Sequence, residues 1–168
     1  EAAARQAQQA GFNTLLLGDD ITGESRDVAR KHAALALTIA KGNGPVSPPC
    51  VILSGGETVV TVRGDGKGGR NGEYLLALAN ALRGTPGIYA LAADTDGIDG
   101  TGDNAGAVLS PETWQRARER GWDISKELEN NNCYPLFRDM GDLLITGPTR
   151  TNVNDFRAIL IMPSETTL

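Results

Sequence analysis

The sequence predicts an α/β domain in which a mixed β-sheet is flanked by helices. Short apolar runs typical of strands interleave with longer segments whose apolar residues recur every three or four positions, as in helices. In residues 57–63, a strand would place Thr58, Val60 and Val62 on one face and Glu57, Val59, Thr61 and Arg63 on the other. This indicates a strand with one less buried face and therefore a sheet that is not purely parallel. With 168 residues, the chain is long enough to bury the core of one domain.

The predicted strands are short apolar or β-branched runs bounded by glycine, proline, serine or aspartate. The run at 88–93 is apolar at every position, which favours a central strand covered on both faces. Gly55-Gly56 has the length of a tight hairpin turn between two strands. In chain order, strands are expected at 14–17, 50–53, 57–63, 88–93, 105–109, 143–146 and 156–162.

The predicted helices have apolar faces and recognisable ends. For the helix expected at about 24–41, Thr22 is the expected N-cap and Gly42 the expected C-cap. His32, the only histidine, falls on the apolar face of that helix and is expected to be packed, not catalytic. Ser110-Pro111 begins another helix, with serine as N-cap and proline at the first helical position. In chain order, helices are expected at 1–10, 24–41, 71–83, 111–120, 123–128 and 134–140.

A proline-rich segment predicts a domain boundary. Residues 43–49 contain three prolines and are typical of a linker. We therefore expect residues 1–43 to be the end of an N-terminal domain or its connector helices, and residues 44–168 to form a C-terminal domain. The sequence starts at Glu1 inside a helical pattern, so we expect it to be part of a longer chain.

Composition argues against several classes of partner. The net charge of −5 and the aromatic content of 5% do not suit a nucleic-acid-binding surface. No apolar run approaches the ~20 residues of a membrane span, and there is no signal-peptide pattern. Cys50 and Cys133 are far apart in the sequence and are expected to be free thiols in a reducing cytosol, which predicts a cytoplasmic location.

A glycine-rich loop at residues 64–69 is the segment best suited to bind an anion. Its glycines let backbone N–H groups approach a ligand, and a helix is predicted to begin behind it at Asn71. Lys67 and Arg70 add two positive charges, so a phosphate or carboxylate is the expected guest, with a turn that binds nothing as the alternative. The loop matches G-x-G-x-x-G, but no acid follows about 20 residues later as dinucleotide sites require. It is not a P-loop, because glycine follows Lys67 where serine or threonine should stand.

A second loop carries four aspartates, Asp94, Asp96, Asp99 and Asp103, directly after the apolar run at 88–93. Clustered carboxylates repel one another unless a cation, a proton or a basic group offsets their charge. Mg²⁺ held by one or two of them and by substrate phosphates would fit, with Asp94 and Asp96 as its predicted ligands. A series of aspartate-stabilised turns is the alternative.

A third loop, residues 146–155, is rich in hydroxyl and amide side chains that can orient a polar ligand without charge. Side-chain bonds that only stabilise the loop are an equal alternative. Because all three loops follow predicted strands, we expect them to meet at one edge of the sheet.

Four motifs resemble the C-terminal domain, often called the MOFRL domain, of the bacterial and animal glycerate 2-kinases, several of which carry the older name hydroxypyruvate reductase. The motifs occur in the order found in that family and cover about residues 50–162. They are Ser-Gly-Gly-Glu-Thr at 54–58, Gly-x-Gly-Gly-Arg-Asn at 66–71, Thr-Asp-Gly-Ile-Asp-Gly at 95–100 and Thr-Gly-Pro-Thr-x-Thr-Asn-Val-Asn-Asp at 146–155. The chain departs from the family at Gly72, where glutamine is usual, and at Arg150, where a small residue is usual.

The resemblance implies ATP- and Mg²⁺-dependent phosphorylation of D-glycerate at its 2-hydroxyl, in a cleft shared with an N-terminal domain that supplies a catalytic lysine. Arg70 would bind phosphate or carboxylate, while Asp96 or Asp99 would hold Mg²⁺ or orient the glycerate hydroxyl. The predicted catalytic residues are therefore Arg70, Asp96 and Asp99. The residues expected to contact substrate or phosphate are Glu57, Gly66, Lys67, Gly68, Gly69, Asn71, Thr149, Asn152 and Asn154.

Two other functions stay open at this point. The older family name suggests an NAD(P)H-dependent hydroxypyruvate reductase, although the poor dinucleotide fingerprint counts against it. Alternatively, the chain is a folded interaction domain without activity. Even as half of a kinase site, the isolated chain would lack the lysine of the N-terminal domain. Whether the protein forms a homodimer is also open.

Overall fold

Six helices and six strands make up the structure, a computed structural model that describes residues 1–163. Residues 164–168 of the predicted C-terminal domain lie outside the described residues. The helices are α1 (Ala2–Gln9), α2 (Ser25–Ala40), α3 (Arg70–Leu82), α4 (Thr113–Glu119), α5 (Ile124–Glu129) and α6 (Cys133–Met140). The strands are β1 (Asn13–Leu16), β2 (Cys50–Gly56), β3 (Ile88–Asp94), β4 (Gly106–Leu109), β5 (Leu143–Leu144) and β6 (Asp155–Ile161).

The strands form one mixed sheet in the order β1-β2-β6-β3-β4-β5. β1 and β2 are parallel, whereas every other neighbouring pair is antiparallel. The last strand, β6, lies between β2 and β3, so the ends of three strands that are distant in sequence are brought to one edge. The predicted mixed sheet with flanking helices is confirmed.

The core lies between one face of the sheet and the paired helices α2 and α3. Ala29, Ala33 and Ala36 are fully buried on one side of α2, and their small side chains allow the two helices to approach closely. On α3, Leu75 and Leu78 are fully buried as well. Burying each leucine contributes roughly 1.5–3 kcal/mol, so α3 is stabilised mainly by packing and not by helix propensity.

The opposite face of the sheet is only partly covered by the described residues. Tyr89 in β3 is 40% exposed and Val108 in β4 is 39% exposed. The expectation that residues 88–93 are covered on both faces is therefore wrong for this chain. Side chains alternate along β3, and those that point away from α3 meet no second layer of helices in residues 1–163.

The predicted strand at 57–63 is absent, and so is the hairpin turn before it. Gly55-Gly56 instead continues β2, pairing with the start of β6. The backbone of Ile21 approaches Gly56 so closely that a Cβ there would lie 2.3 Å from the Ile21 nitrogen, so glycine is required for packing and not for a turn. Beyond Gly56, Val59 forms an isolated bridge to Glu24. Residues 57–63 are a loop whose side chains are mostly exposed.

Residues 1–43 belong to the same sheet and core as the residues that follow. β1 pairs with β2, and α2 packs against α3. The division at residue 44 stays a prediction about the domains of a longer protein.

The predicted helix starts are displaced by two residues at two places. Glu24, not Thr22, is the N-cap of α2, because Gly23 adopts a positive φ of 111°. Glu112, not Ser110, precedes α4, because the Ser110 nitrogen donates to Thr113 Oγ1 in a turn before the helix. Among the helices of residues 1–163, none has both the length and the apolar character that crossing a membrane requires.

Candidate functional site

Three acidic side chains surround Arg70, the first residue of α3. Its Nε donates to Asp155 Oδ1 at 2.9 Å, its Nη1 to Glu57 Oε1 at 3.2 Å and its Nη2 to Asp94 Oδ2 at 2.6 Å. The three acids meet because Asp155 is the register partner of both Asp94 in β3 and Gly56, the residue before Glu57. We call Arg70, Glu57, Asp94 and Asp155 the Arg70 cluster.

The Arg70 guanidinium keeps hydrogen-bonding capacity for a ligand. An arginine has five N–H donors, and the three bonds above use one on each nitrogen. The side chain is 26% exposed, and one N–H group on each of Nη1 and Nη2 has no hydrogen-bond partner among the described residues. Burial opposes the charge of Arg70, but the carboxylates of Asp155, Asp94 and Glu57 outweigh it and raise the pKa of Arg70 above its ordinary value. This cation therefore stays charged at any pH at which the protein folds.

Asp155 is the most buried member of the Arg70 cluster. Its side chain has no exposed surface, and its Oδ1 also accepts from Asn71 Nδ2 at 2.8 Å. Its Oδ2 accepts from Arg157 Nη2 at 2.6 Å. Neither Asp155 nor Arg157 was predicted to have a role. Both are charged residues at the start of an otherwise apolar strand, and Asp155 ends the fourth motif.

Asp99 lies behind the cluster and stabilises the start of α3. Its Oδ1 accepts from the Asn71 nitrogen at 3.0 Å, and its Oδ2 accepts from the Gly72 nitrogen at 2.8 Å. Burial raises the pKa of Asp99, while these backbone bonds oppose the rise. Both Asp99 and Asn71 are almost fully buried, so neither lies where a substrate in solvent would contact it directly. The predicted catalytic role of Asp99 and the predicted substrate contact of Asn71 have no support in this geometry.

Asp94 and Asp96 do not form the expected metal pair. Asp94 uses Oδ2 for Arg70 and Oδ1 for the Asp96 nitrogen, at 3.0 Å. Burial raises the pKa of Asp94, and the neighbouring carboxylates of Asp96 and Asp155 raise it further. The bond from the Asp96 nitrogen and the charge of Arg70 oppose this rise. Within residues 1–163, no group of three or more His, Cys, Asp or Glu side chains could hold a metal ion. Asp96 is half-buried, and its Oδ2 has one long contact, 3.4 Å from Asn152 Nδ2, so Asp96 is the carboxylate that remains suited to Mg²⁺.

The threonine–asparagine loop, residues 146–155, packs on the aspartate loop, residues 94–103. The Thr149 nitrogen donates to the Asp96 carbonyl at 3.0 Å, and Asn152 Nδ2 contacts the Asp96 carboxylate. The Asn154 carbonyl accepts from the Thr95 hydroxyl at 2.8 Å. The loop is therefore fixed by contacts with Thr95 and Asp96. The side chains of Thr149, Asn152 and Asn154 are nevertheless largely exposed to solvent.

The glycine-rich loop is held by residues 130–132, which we call the asparagine turn. The Gly66 nitrogen donates to the Asn130 carbonyl at 3.0 Å, and the Lys67 nitrogen donates to Asn132 Oδ1 at 3.1 Å. These two amides are therefore already bonded within the protein, which argues against the prediction that they bind an oxyanion. A Cβ on Gly66 would lie 2.4 Å from the Asn130 carbonyl oxygen, so close packing requires a glycine here. Gly68 and Gly69 then lead directly into α3, with Gly69 as its N-cap.

The Lys67 side chain lies away from the Arg70 cluster. Its Nζ is 4.1 Å from the centroid of the Tyr134 ring, and the Tyr134 hydroxyl donates to Asp103 Oδ1 at 2.7 Å. Lys67 and Asp103 therefore both contact Tyr134, one at its ring and the other at its hydroxyl. Neither is among the hydrogen-bond partners of Arg70. The predicted pairing of Lys67 with Arg70 as two cations on one ligand has no support in this arrangement.

The edge where the loops meet carries more negative than positive charge. Five carboxylates surround two guanidinium groups, which leaves a formal charge of −3. Of these two guanidinium groups, Arg70 is the partly exposed one that a negatively charged ligand could approach, and further cations beside it would favour binding. The carboxylates are Glu57, Asp94, Asp96, Asp99 and Asp155, and the guanidinium groups are Arg70 and Arg157.

A family model described as MOFRL family matches residues 50–155, which include every residue of the Arg70 cluster. The chain belongs to the MOFRL family. This family match agrees with the resemblance of the four sequence motifs, which lie within or at the limits of the same residues.

Relatives with kinase names are similar over nearly all of the chain. A glycerate 2-kinase of Pyrococcus horikoshii is 39% identical over 92% of this chain and 35% of its own length. A D-glycerate 2-kinase of Thermotoga maritima is 38% identical over 96% of this chain and 39% of its own length. An Agrobacterium vitis protein provisionally named a hydroxypyruvate reductase is 50% identical over 96% of this chain and 37% of its own length. The chain thus spans about two fifths of the length of these relatives.

Solved structures share the fold. The crystal structure of a glycerate kinase from Thermotoga maritima matches with a TM-score of 0.92 and 39% identity, over 95% of this chain and 39% of that one. A protein from Pyrococcus horikoshii matches with the same TM-score and 36% identity, over 97% of this chain and 37% of that one. The MOFRL chain therefore has the fold of one part of these larger proteins.

Proposed function

We propose that this MOFRL chain is the C-terminal part of an ATP-dependent glycerate 2-kinase that phosphorylates D-glycerate at its 2-hydroxyl in a cleft between two domains. The observation that carries the proposal is Arg70, which starts α3, is held by three carboxylates and keeps two N–H donors accessible. The kinase names of the Pyrococcus and Thermotoga relatives support the same function.

Arg70 would bind the transferred phosphoryl group or the glycerate carboxylate. Phosphoryl transfer depends mainly on positioning and on neutralising charge at the phosphoryl oxygens, and a fixed guanidinium serves both needs. The two free N–H groups of Arg70, one on each Nη, point from a single planar group and suit two oxygens of one anion. In this proposal Asp96 holds Mg²⁺ or orients the glycerate hydroxyl, since its Oδ2 has a single long contact, to Asn152 Nδ2.

The surplus of negative charge at this edge supports a need for cations from elsewhere. Mg²⁺ that arrives with ATP would neutralise phosphate charge, and Asp96 is the residue suited to hold it. A lysine from the N-terminal part of the longer protein would supply a further positive charge. We therefore expect the 168-residue chain alone to have no kinase activity.

A cytoplasmic location belongs to the same proposal. Cys50 and Cys133 are both free and buried, as expected for thiols in a reducing compartment. The substrates ATP and D-glycerate are small metabolites, so neither nucleic acid nor membrane is needed as a partner.

A coupled assay of the full-length protein tests the kinase proposal. D-glycerate, ATP and Mg²⁺ should yield ADP at a rate that depends on all three, and ³¹P spectroscopy should identify the product as the 2-phosphate. Omission of glycerate is the control for simple ATP hydrolysis. ADP formation that does not depend on glycerate, or a 3-phosphate product, would contradict the proposal.

Hydroxypyruvate reduction is the second candidate, and the name of the Agrobacterium relative favours it. It would need a nicotinamide site in this chain or in the remainder of the longer protein. The G-x-G-x-x-G match at residues 64–69 follows an irregular loop and not a strand, which weakens it as a dinucleotide site. Loss of NADH absorbance with hydroxypyruvate, at a rate exceeding ADP formation with glycerate, would favour reduction.

A further inference from the structure

Asp155 connects Arg70 to the buried core through a series of charged contacts. Its Oδ1 receives Arg70 Nε at 2.9 Å and Asn71 Nδ2 at 2.8 Å. Its Oδ2 receives Arg157 Nη2 at 2.6 Å. Both carboxylate oxygens are therefore occupied, and the side chain cannot rotate without breaking a charge-assisted bond.

Arg157 is held through its two Nη groups, while its buried Nε has no hydrogen-bond partner among the described residues. Its guanidinium donates to the carbonyls of Gly55 and Gly56 and to Thr58 Oγ1, at 3.2–3.4 Å. Its Cζ lies 5.5 Å from the centroid of the Tyr74 ring, and the side chain is 1% exposed. The position of Asp155 is thus determined by β2, β6 and α3 together.

We propose that Asp155 is a positioning residue that fixes the plane of the Arg70 guanidinium, and that Arg157 fixes Asp155. This inference rests on the proposed role of Arg70 in binding the phosphoryl group or the substrate carboxylate. The bond from Nε to a carboxylate that is itself fixed restrains the rotation of the guanidinium plane, and with it the direction of both remaining Nη donors.

The other two acids of the Arg70 cluster cannot set this plane as well. Glu57 is 58% exposed, so water competes for its 3.2 Å bond to Arg70. Asp94 is buried and restrains the same plane through Nη2, but its other oxygen is held by the Asp96 nitrogen and not by a second cation. Asp155 is the acid of the cluster that is fully buried and also held by a second buried cation, Arg157.

A double-mutant cycle in the full-length protein separates positioning from a merely structural role. Asp155→Asn should lower kcat/KM by about 10- to 100-fold, mainly through kcat, because a misplaced guanidinium stabilises the transition state poorly. In the Arg70→Ala background, the same Asp155→Asn change should lower kcat/KM by less than about threefold, since the residue through which it acts is gone. Losses that multiply independently would overturn the proposal while leaving the kinase function intact.

A matched control comes from a largely buried carboxylate elsewhere that also pairs with arginine and is 12% exposed. Asp142, after α6, accepts two bonds from Arg116 Nη1 at 3.1–3.2 Å and lies outside the Arg70 cluster. Asp142→Asn should change kcat/KM by less than about twofold in both backgrounds. Equal losses from Asp142→Asn and Asp155→Asn would indicate a general effect of removing a buried carboxylate and would overturn the proposal.

Two further measurements cover the case in which Asp155→Asn fails to fold or the protein shows no kinase activity. Asp155→Glu keeps the charge beside Arg157 but displaces the carboxylate, so it should fold and still lower kcat by about 10-fold. In protein labelled with ¹⁵N-arginine, the Arg70 Nε–H signal, assigned by its absence from Arg70→Lys, should exchange slowly with water and should exchange much faster in Asp155→Glu. Unchanged exchange would overturn the positioning role whatever the activity, whereas altered exchange without glycerate turnover would refute only the kinase function.

Discussion

Two clusters of buried arginine and acid illustrate how the same chemistry serves different ends. The Arg26 cluster, formed by Arg26, Glu73 and Asn131, lies where α2, α3 and the asparagine turn meet. Arg26 Nε and Nη2 donate to Glu73 Oε1 at 2.9 and 2.7 Å, and Asn131 Nδ2 donates to Glu73 Oε2 at 2.7 Å. Arg70 has more ionic partners than Arg26, yet it is 26% exposed, compared with 8% for Arg26.

The difference between the clusters lies in their accessibility. In the Arg26 cluster, the Leu128 carbonyl also accepts from Arg26, and both charged side chains are closed off from solvent. Glu73 and Asn131 border the same open cavity as Arg70, but both charged side chains of the Arg26 cluster are almost fully buried. In the Arg70 cluster, the acids orient the cation while leaving part of it open. We therefore expect mutations in the first cluster to affect stability and mutations in the second to affect activity.

The largest expected effect tests the structural side of this comparison. Arg26→Ala should lower the free energy of unfolding by about 3–5 kcal/mol, because it leaves the Glu73 carboxylate buried without its cation. Urea denaturation measures the loss. The double variant Arg26→Met/Glu73→Gln removes both charges and should recover much of it. A loss below about 1 kcal/mol for Arg26→Ala would contradict the assignment of this cluster to stability.

The next effect tests the functional side. Arg70→Ala should lower kcat/KM of the full-length protein at least a hundredfold, about 2.7 kcal/mol, because the cation that binds the anionic group is lost. Its unfolding free energy should change less than that of Arg26→Ala, since Asp155 retains Arg157. Arg118→Ala, at an exposed arginine on α4, is the control and should leave turnover unchanged. Turnover of Arg70→Ala within about threefold of the wild type would remove the role given to Arg70.

A smaller effect concerns acid sensitivity at the interface of α2 and α3. Burial, together with the nearby Arg157 charge, lowers the pKa of His32 from 6.5 to about 4. The folded state therefore favours neutral imidazole, so this stabilising contribution is complete above pH 6.5 and is lost as the pH falls towards 4. The loss should be about 2 kcal/mol, a value discounted for residual contact with water.

A difference measurement isolates this contribution from the titrating carboxylates. His32→Gln cannot gain a proton, so its unfolding free energy should fall less between pH 6.5 and pH 4 than that of the wild type. Parallel pH profiles for the two proteins would show that His32 is not the sensitive group.

The smallest expected effect concerns Lys67. Its side chain is exposed and its Nζ lies over Tyr134, so Lys67→Ala should lower kcat/KM by less than about fivefold. Steady-state kinetics of this variant, beside Arg70→Ala, would show how unequal the two cations of the second motif are. A loss approaching that of Arg70→Ala would mean that Lys67 leaves Tyr134 to contact the substrate.

Much of the fold could be predicted from the sequence, because most elements have regular patterns. The periodicity of α3 and the apolar runs of β3 and β6 identified them to within a residue or two. The strand at 57–63 was predicted wrongly because a short β-branched run also occurs in a surface loop, where Val59 and Val62 are exposed. The cover of β3 was predicted wrongly because an apolar run does not tell which molecule, or which part of a longer chain, packs on each face.

The site was predicted in part. Arg70 was singled out by its place between a glycine-rich loop and a helix, and the acidic and threonine–asparagine loops do meet beside it. Asp155 and the asparagine turn were missed, because their partners Arg70, Arg63 and Asp65 lie 65–85 positions away along the chain. Spacing within a motif carries no information about such distant contacts.

By itself, the sequence determined which segments form helices and strands and which three loops carry polar and charged groups, since these depend on neighbours a few residues apart. Only the tertiary structure decided which carboxylates face Arg70 and which are closed off, because that follows from the place of β6 between β2 and β3. The insertion of the last strand at the centre of the sheet brings Asp155 beside Asp94 and Glu57. These three carboxylates then surround and orient Arg70, the cation of the Arg70 cluster.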